Sequence, residues 1–156
     1  MPDFVIKDVA ETPYIYSERT TGTSPEEISQ AMGAAFGEVF AFAAEKGITP
    51  AGPPLSVYHD FSMGETMRFR AGIVITPEHL GLAEGSIGDD TLPAGRVVSF
   101  VHEGSYATLR DDYDLLMRHV AEEGLSLKPP SWELYLNDPD VVAEAELRTE
   151  CCTYLG

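Results

Sequence analysis

Cysteine is scarce in this chain: two among 156 residues, Cys151 and Cys152, and they are adjacent. Neighbours in a strand point to opposite faces, so these two do not bond to each other. Neither cysteine nor the four histidines (His59, His79, His102, His119) shows metal-ligand spacing. No metal and no cofactor is therefore expected. Basic residues are few as well, 10 Lys and Arg against 26 Asp and Glu, which leaves a net charge of −16. Such a chain has no basic stripe and repels phosphate backbones, so nucleic acid is not an expected partner. No stretch reaches the roughly 20 apolar residues that span a bilayer. The N-terminus lacks a basic region followed by an apolar core, so no secretory signal is read there. The expectation is a cytoplasmic protein without a membrane partner. Glycine-rich phosphate loops and a G-x-S-x-G elbow are also missing, which removes the commonest nucleotide and serine-hydrolase signatures.

What is present is a pattern written twice. Ser24-Pro25-Glu26-Glu27 opens an apolar-periodic stretch that ends at Glu45-Lys46-Gly47-Ile48. Pro53-Pro54, a strand to Tyr58-His59-Asp60 and Met67-Arg68-Phe69-Arg70 follow. The second half repeats the order: Ser105, a periodic stretch, Glu122-Glu123-Gly124-Leu125, Pro129-Pro130, a strand to Tyr135-Leu136-Asn137-Asp138, then Leu147-Arg148-Thr149-Glu150. A strand is expected before each helix, at 4–9 and 96–103. The chain length suits one domain, 1–156, made of pseudo-repeats 1–75 and 95–156 with a connection at 76–94.

The first helix is expected over 24–46. Ser24 and Glu27 make a capping box, Pro25 suits the first helical position, and Gly47 suits a left-handed stop. Ile28, Met32, Ala35, Phe36, Val39 and Ala43 make its buried stripe. The second helix is expected over 105–123, capped by Ser105, with Tyr106, Leu109, Tyr113, Leu116 and Val120 as its stripe and Gly124 as its stop. In 67–75, Met67, Phe69, Ala71, Ile73 and Ile75 share a face opposite Arg68 and Arg70. In 131–137, Trp132, Leu134 and Leu136 share one face, and Glu133, Tyr135 and Asn137 the other. Placing the wholly apolar set under the helices sends Glu133, Tyr135 and the matched Tyr58 to the opposite face, as a ligand groove. The fold class is α+β: two β-α-β-β repeats about a pseudo-two-fold, an antiparallel sheet with helices on one face and a ligand cleft on the other. One position breaks the repeat chemically: Glu133 stands where the first half has Ser56.

Several of these segments together resemble the GyrI-like family. They are Pro93-Ala94-Gly95-Arg96 with His102-Glu103-Gly104-Ser105-Tyr106, Trp132-Glu133-Leu134-Tyr135-Leu136-Asn137-Asp138-Pro139, and Leu147-Arg148-Thr149-Glu150. In the first half, Gly52-Pro53-Pro54, Tyr58-His59-Asp60 and Met67-Arg68 agree too. The resemblance covers nearly the whole chain. It implies a small-molecule effector-binding domain with a cleft between its halves, in which a buried acid faces lipophilic, often cationic ligands among aromatic rings. Carried over residue by residue, the acid is Glu133 and the lining is Tyr135, Tyr106, Tyr58 and Trp132. Family members include effector-binding domains of transcription regulators, free-standing gyrase antagonists and hydrolases of cyclopropane-bearing genotoxins. The absence of a helix-turn-helix segment leads to the expectation of a stand-alone binding protein. Two alternatives stay open: a hydrolase of reactive electrophiles using Glu133 and Tyr106, or a module that binds a protein partner such as gyrase or a regulator. The last strand, Cys151-Cys152-Thr153-Tyr154-Leu155, departs from the family's apolar-aromatic ending.

Overall fold

The computed structural model describes residues 2–59, 66–138 and 141–156. Asp60 and Pro139, which close two of the motifs, lie outside the described residues. Helix α1 spans Pro25–Lys46, with Ser24 accepting from the Glu27 backbone N–H and Gly47 ending it at φ 69°. A residue with a Cβ is strained there, so glycine sets the stop. Helix α2 spans Leu109–Glu122 and starts later than the sequence suggests. Ser105 leads instead into a 3-10 turn, Tyr106–Thr108, and Thr108 takes the N-cap position without a side-chain cap hydrogen bond. The Ser105 carbonyl accepts from the Thr108 backbone N–H, an i to i+3 bond that tightens the entry.

The strands are β1 Val5–Val9, β2 Thr12–Gly22, β3 Pro54–Tyr58, β4 Thr66–Val74, β5 Ile87–Leu92, β6 Gly95–Glu103, β7 Leu127–Tyr135 and β8 Arg148–Leu155. They form an antiparallel sheet in the order β1-β6-β8-β7-β3-β4-β2-β5. The strand leading into α1 is β2; the expected strand at 4–9 is β1, which pairs with β6 of the other half. Residues 76–94 are more than a connection, because β5 lies there and pairs with β2. Both halves thus run strand, strand, helix, strand, strand, and each leading strand is lent to the other half. Gly72 permits the close pairing of β4 with β2, since a Cβ there would lie 2.1 Å from the Ile15 carbonyl oxygen.

The sheet buries both of its faces. Helix α1 packs Val39, Phe42 and Ala43 on Ile15, Ile73 and Ile87, and Ala35 on Phe69 and Ala71. The expected alternation along β4 is therefore met. Helix α2 packs Leu109, Leu116 and Val120 on Val98, Phe100 and Cys151. On the other face, Leu92 near one edge and Val9 at the other share a cluster with Tyr14, Leu55, Val57, Trp132 and Tyr154. The sheet curls so that this face is filled by its own side chains.

That curl corrects one expectation. Trp132 and Leu134 do share a face opposite Glu133 and Tyr135, but they lie in the helix-free interior, where the Trp132 ring is 5.1 Å from that of Tyr154. Glu133 and Tyr135 lie under the helices, and the site is on the helix face. The wholly apolar set went to the other side because a curled sheet needs apolar filling there too. Among the described residues, no helix is long and apolar enough to cross a membrane. Trp132→Ala should destabilise the domain by roughly 3–5 kcal/mol through the cavity it leaves. Urea unfolding measures this, and a loss near zero would contradict the interior placement.

Candidate functional site

Register alone assembles the floor of the site. Strands β3 and β7 join the two halves, and Ser56 on β3 stands directly opposite Glu133 on β7. Cys151 on β8 is the opposite neighbour of Glu133, and Ala71 on β4 that of Ser56. These residues point to the helix face, between α1 and α2.

Glu133 is buried, 7% exposed. Tyr113, from α2, donates to its Oε2 at 2.7 Å. The Tyr135 hydroxyl lies 3.1 Å from its Oε1 and 2.8 Å from Ser56 Oγ. A tyrosine has one hydroxyl proton, so Tyr135 donates to an ionised Glu133 while Ser56 donates to Tyr135. Burial raises Glu133 above its ordinary value of 4.5, and the hydroxyls of Tyr113, Tyr135 and Tyr58 pull it back down, with a smaller contribution from His102. The same burial, with the Glu133 charge behind it, holds Tyr58, Tyr113 and Tyr135 well above 10.0. These three phenols therefore stay protonated donors at any physiological pH. Among the described residues, no Lys, Arg or His forms an ion pair with Glu133.

Aromatic rings surround the acid. Phe36 of α1 meets Tyr135 edge-to-face at 6.0 Å, and Tyr106 meets it at 5.6 Å. Phe100 and Tyr113 pack the same way at 5.4 Å. Such pairs contribute roughly 0.5–1.5 kcal/mol each beyond area burial, which orders the wall. Tyr106 is 39% exposed and is the outermost of these rings. A cavity of about 690 Å3 lies nearby, at the end of β6, lined by Lys7, His102, Asp112, Arg148 and Glu150 among others. Glu133 does not line it, and at 7% exposed the acid is nearly closed off from solvent in this conformation.

Of the residues expected from sequence, Glu133, Tyr135, Tyr58 and Tyr106 come together. Trp132 does not; it is on the opposite side of the sheet. The sequence reading missed Tyr113 as a functional group, counting it only in the stripe of the second helix. A signal was available: aligned on the two stops, Gly47 and Gly124, Tyr113 is the counterpart of Phe36. The hydroxyl appears only in the half that carries the acid. Ser56 and Cys151 were visible only as a contrast and a strand residue.

The fold is shared with several solved structures. The EcmrR C-terminal domain matches with TM-score 0.85 and 22% identity, over 100% of this chain and 98% of that one. In an EcmrR–DNA complex the match has TM-score 0.83 and 21% identity, covering 99% of this chain and 57% of that chain. SAV2435 bound to tetraphenylphosphonium matches with TM-score 0.66 and 10% identity, over 99% of this chain and 94% of that one. A hydrolase encoded by lin2189 from Listeria innocua matches with TM-score 0.62 and 13% identity, over 99% and 91%. No curated protein sequence matches the chain. The family model of the GyrI-like small molecule binding domain spans residues 2–154. The chain belongs to the GyrI-like small molecule binding domain family, which is the family its own repeated motifs resemble.

Proposed function

We propose that this domain binds a lipophilic cation, with Glu133 as the anionic anchor and Tyr135, Tyr113, Tyr58, Tyr106 and Phe36 as the aromatic wall. The observation that carries the reading is the buried Glu133 carboxyl, held by tyrosine hydroxyls and, among the described residues, without a cationic side chain beside it. A buried carboxylate is unfavourable unless a cation accompanies it. A ligand cation entering between the helices would supply that partner, and the surrounding rings add cation–π attraction. The net charge of −16 also draws cations toward the domain. SAV2435, which shares the fold, is bound to tetraphenylphosphonium, and that compound is the natural first probe.

Ligand at 100 times its dissociation constant stabilises a folded protein by about 2.7 kcal/mol, so thermal shift with tetraphenylphosphonium reads the interaction. Glu133→Gln should weaken that probe roughly 30-fold, about 2 kcal/mol, by removing the charge and keeping the shape. It should leave an uncharged aromatic of similar size little changed. Equal loss for both probes would contradict the anchor role.

The raised pKa gives a second test. A folded state that holds the Glu133 proton more tightly than the unfolded chain gains stability below 4.5 and loses it as pH rises through the raised value. Cation affinity runs the other way, because the ionised carboxylate is the binding form. Affinity for tetraphenylphosphonium should therefore climb with pH and level off above the raised value. Tyr113→Phe removes a hydrogen bond that favours the ionised form, so it should move the climb to higher pH. A flat profile in the parent, or one unmoved in Tyr113→Phe, would count against the mechanism.

A further inference from the structure

Glu133 is closed off, so a ligand must displace part of the wall to reach it. The piece most open to displacement is the short segment between β6 and α2. It contains Gly104 at φ 112°, a value suited to glycine, and the 3-10 turn Tyr106–Thr108. Tyr106 rides on that turn, half out of the protein, with its ring on Tyr135. Its phenol is raised above 10.0 by burial, with Asp138 and Glu133 adding to the shift, so it stands within electrostatic reach of the acid.

One side chain ties this segment down from inside. His102, 4% exposed at the end of β6, places Nδ1 2.5 Å from Asp112 Oδ2 in the first turn of α2. Its Nε2 lies 2.8 Å from the Ser105 carbonyl oxygen and 3.0 Å from Thr108 Oγ1. A single ring thus joins the strand, the turn on both sides of Tyr106, and the helix. The line from hydroxyl to imidazole to carboxylate also resembles a nucleophile triad. However, Thr108 Oγ1 itself donates to the Ser105 carbonyl oxygen, so its proton is directed at the backbone and not at Nε2. The ring is therefore placed to hold the turn and not to activate Thr108. Beneath the turn, Thr149 stands opposite both His102 and Tyr135 in the sheet, wholly buried. Among the described residues its hydroxyl is the buried side-chain group without a hydrogen-bond partner, a polar atom left over between latch and anchor.

We propose that the His102–Asp112 pair is a positioning latch that holds the Tyr106 turn closed over Glu133, so that opening of residues 104–108 about Gly104 sets the rate of ligand entry. This rests on Glu133 being the ligand anchor. The latch acts through Tyr106 and is not itself a contact to the ligand.

Two readouts on the full chain test it, one of which needs no ligand. The Thr108 amide donates to the Ser105 carbonyl only while the turn is formed, so its hydrogen exchange reports opening. Asp112→Asn and His102→Gln should each speed that exchange about tenfold or more, since a buried hydrogen bond to a charged group is lost. Amides of β7 and β8 should stay protected, which shows that the domain remains folded. Association of tetraphenylphosphonium, followed by stopped-flow fluorescence, should quicken in parallel. In a Tyr106→Ala background, Asp112→Asn should add no further speed to association, because the closing ring is already gone. Unchanged Thr108 exchange in both latch variants would overturn the proposal, as would entry into Tyr106→Ala no faster than into the parent. If tetraphenylphosphonium binds none of the proteins while Thr108 exchange still quickens, the cation reading fails and the latch on the turn stands.

Discussion

A carboxyl group buried among tyrosine hydroxyls and, among the described residues, without an ion-pair partner is the constraint around which this domain is organised. Glu133 sits at the seam of two similar halves, on the strand that joins one to the other. Water is excluded by rings from both helices. Hydroxyls of Tyr113 and Tyr135 meet its two oxygens. Those bonds offset part of the desolvation penalty and leave the group short of a full counter-charge. A domain built only for stability would place an apolar residue here, as it places Ala71 on the far side of Ser56. Burial there favours the protonated acid, while the tyrosine hydroxyls favour the ionised one.

The rest of the structure makes that environment durable. Each half lends its leading strand to the other, so the sheet is knitted across the seam and Glu133 is not at a hinge between loose lobes. The sheet then curls and fills its helix-free face with Trp132, Tyr154, Tyr14 and the aliphatic residues between them. With that face filled, the buried acid lies on the helix side. Two amphipathic helices cover it, and the turn before α2 supplies the exposed ring of Tyr106. The short turn at Gly104–Thr108 joins the sheet to α2 through Gly104, at φ 112°.

Much of this was legible in the sequence, and the failures are instructive. The Ser24 cap and the Gly47 and Gly124 stops are local chemistry, so α1 and the end of α2 were readable to within a residue or two. The start of α2 was not, because a 3-10 turn and the buried His102 depend on contacts from outside the segment. Alternation correctly divided Glu133 and Tyr135 from Trp132 and Leu134. Which set faces the helices could not come from alternation, since curling gives both faces an apolar demand. Strand β5 hid in a stretch rich in Asp and Gly, where propensity argues for a loop and pairing with β2 overrides it. At the site, residue type pointed to the acid and the tyrosines on strands, while Tyr113 passed as core because a helical stripe is read as packing first.

The central claim is that a ligand cation pairs with the Glu133 carboxylate, whose proton burial holds more tightly than usual, and calorimetry of proton release tests it most directly. Tetraphenylphosphonium binding would be measured in buffers of different ionisation enthalpy, from about pH 5 to about pH 8. The account predicts proton release on binding that is greatest at the acidic end and falls with rising pH as Glu133 ionises on its own. In Glu133→Gln the release should disappear at every pH. Binding without proton exchange in the parent across that range, or with the same exchange in Glu133→Gln, would contradict it.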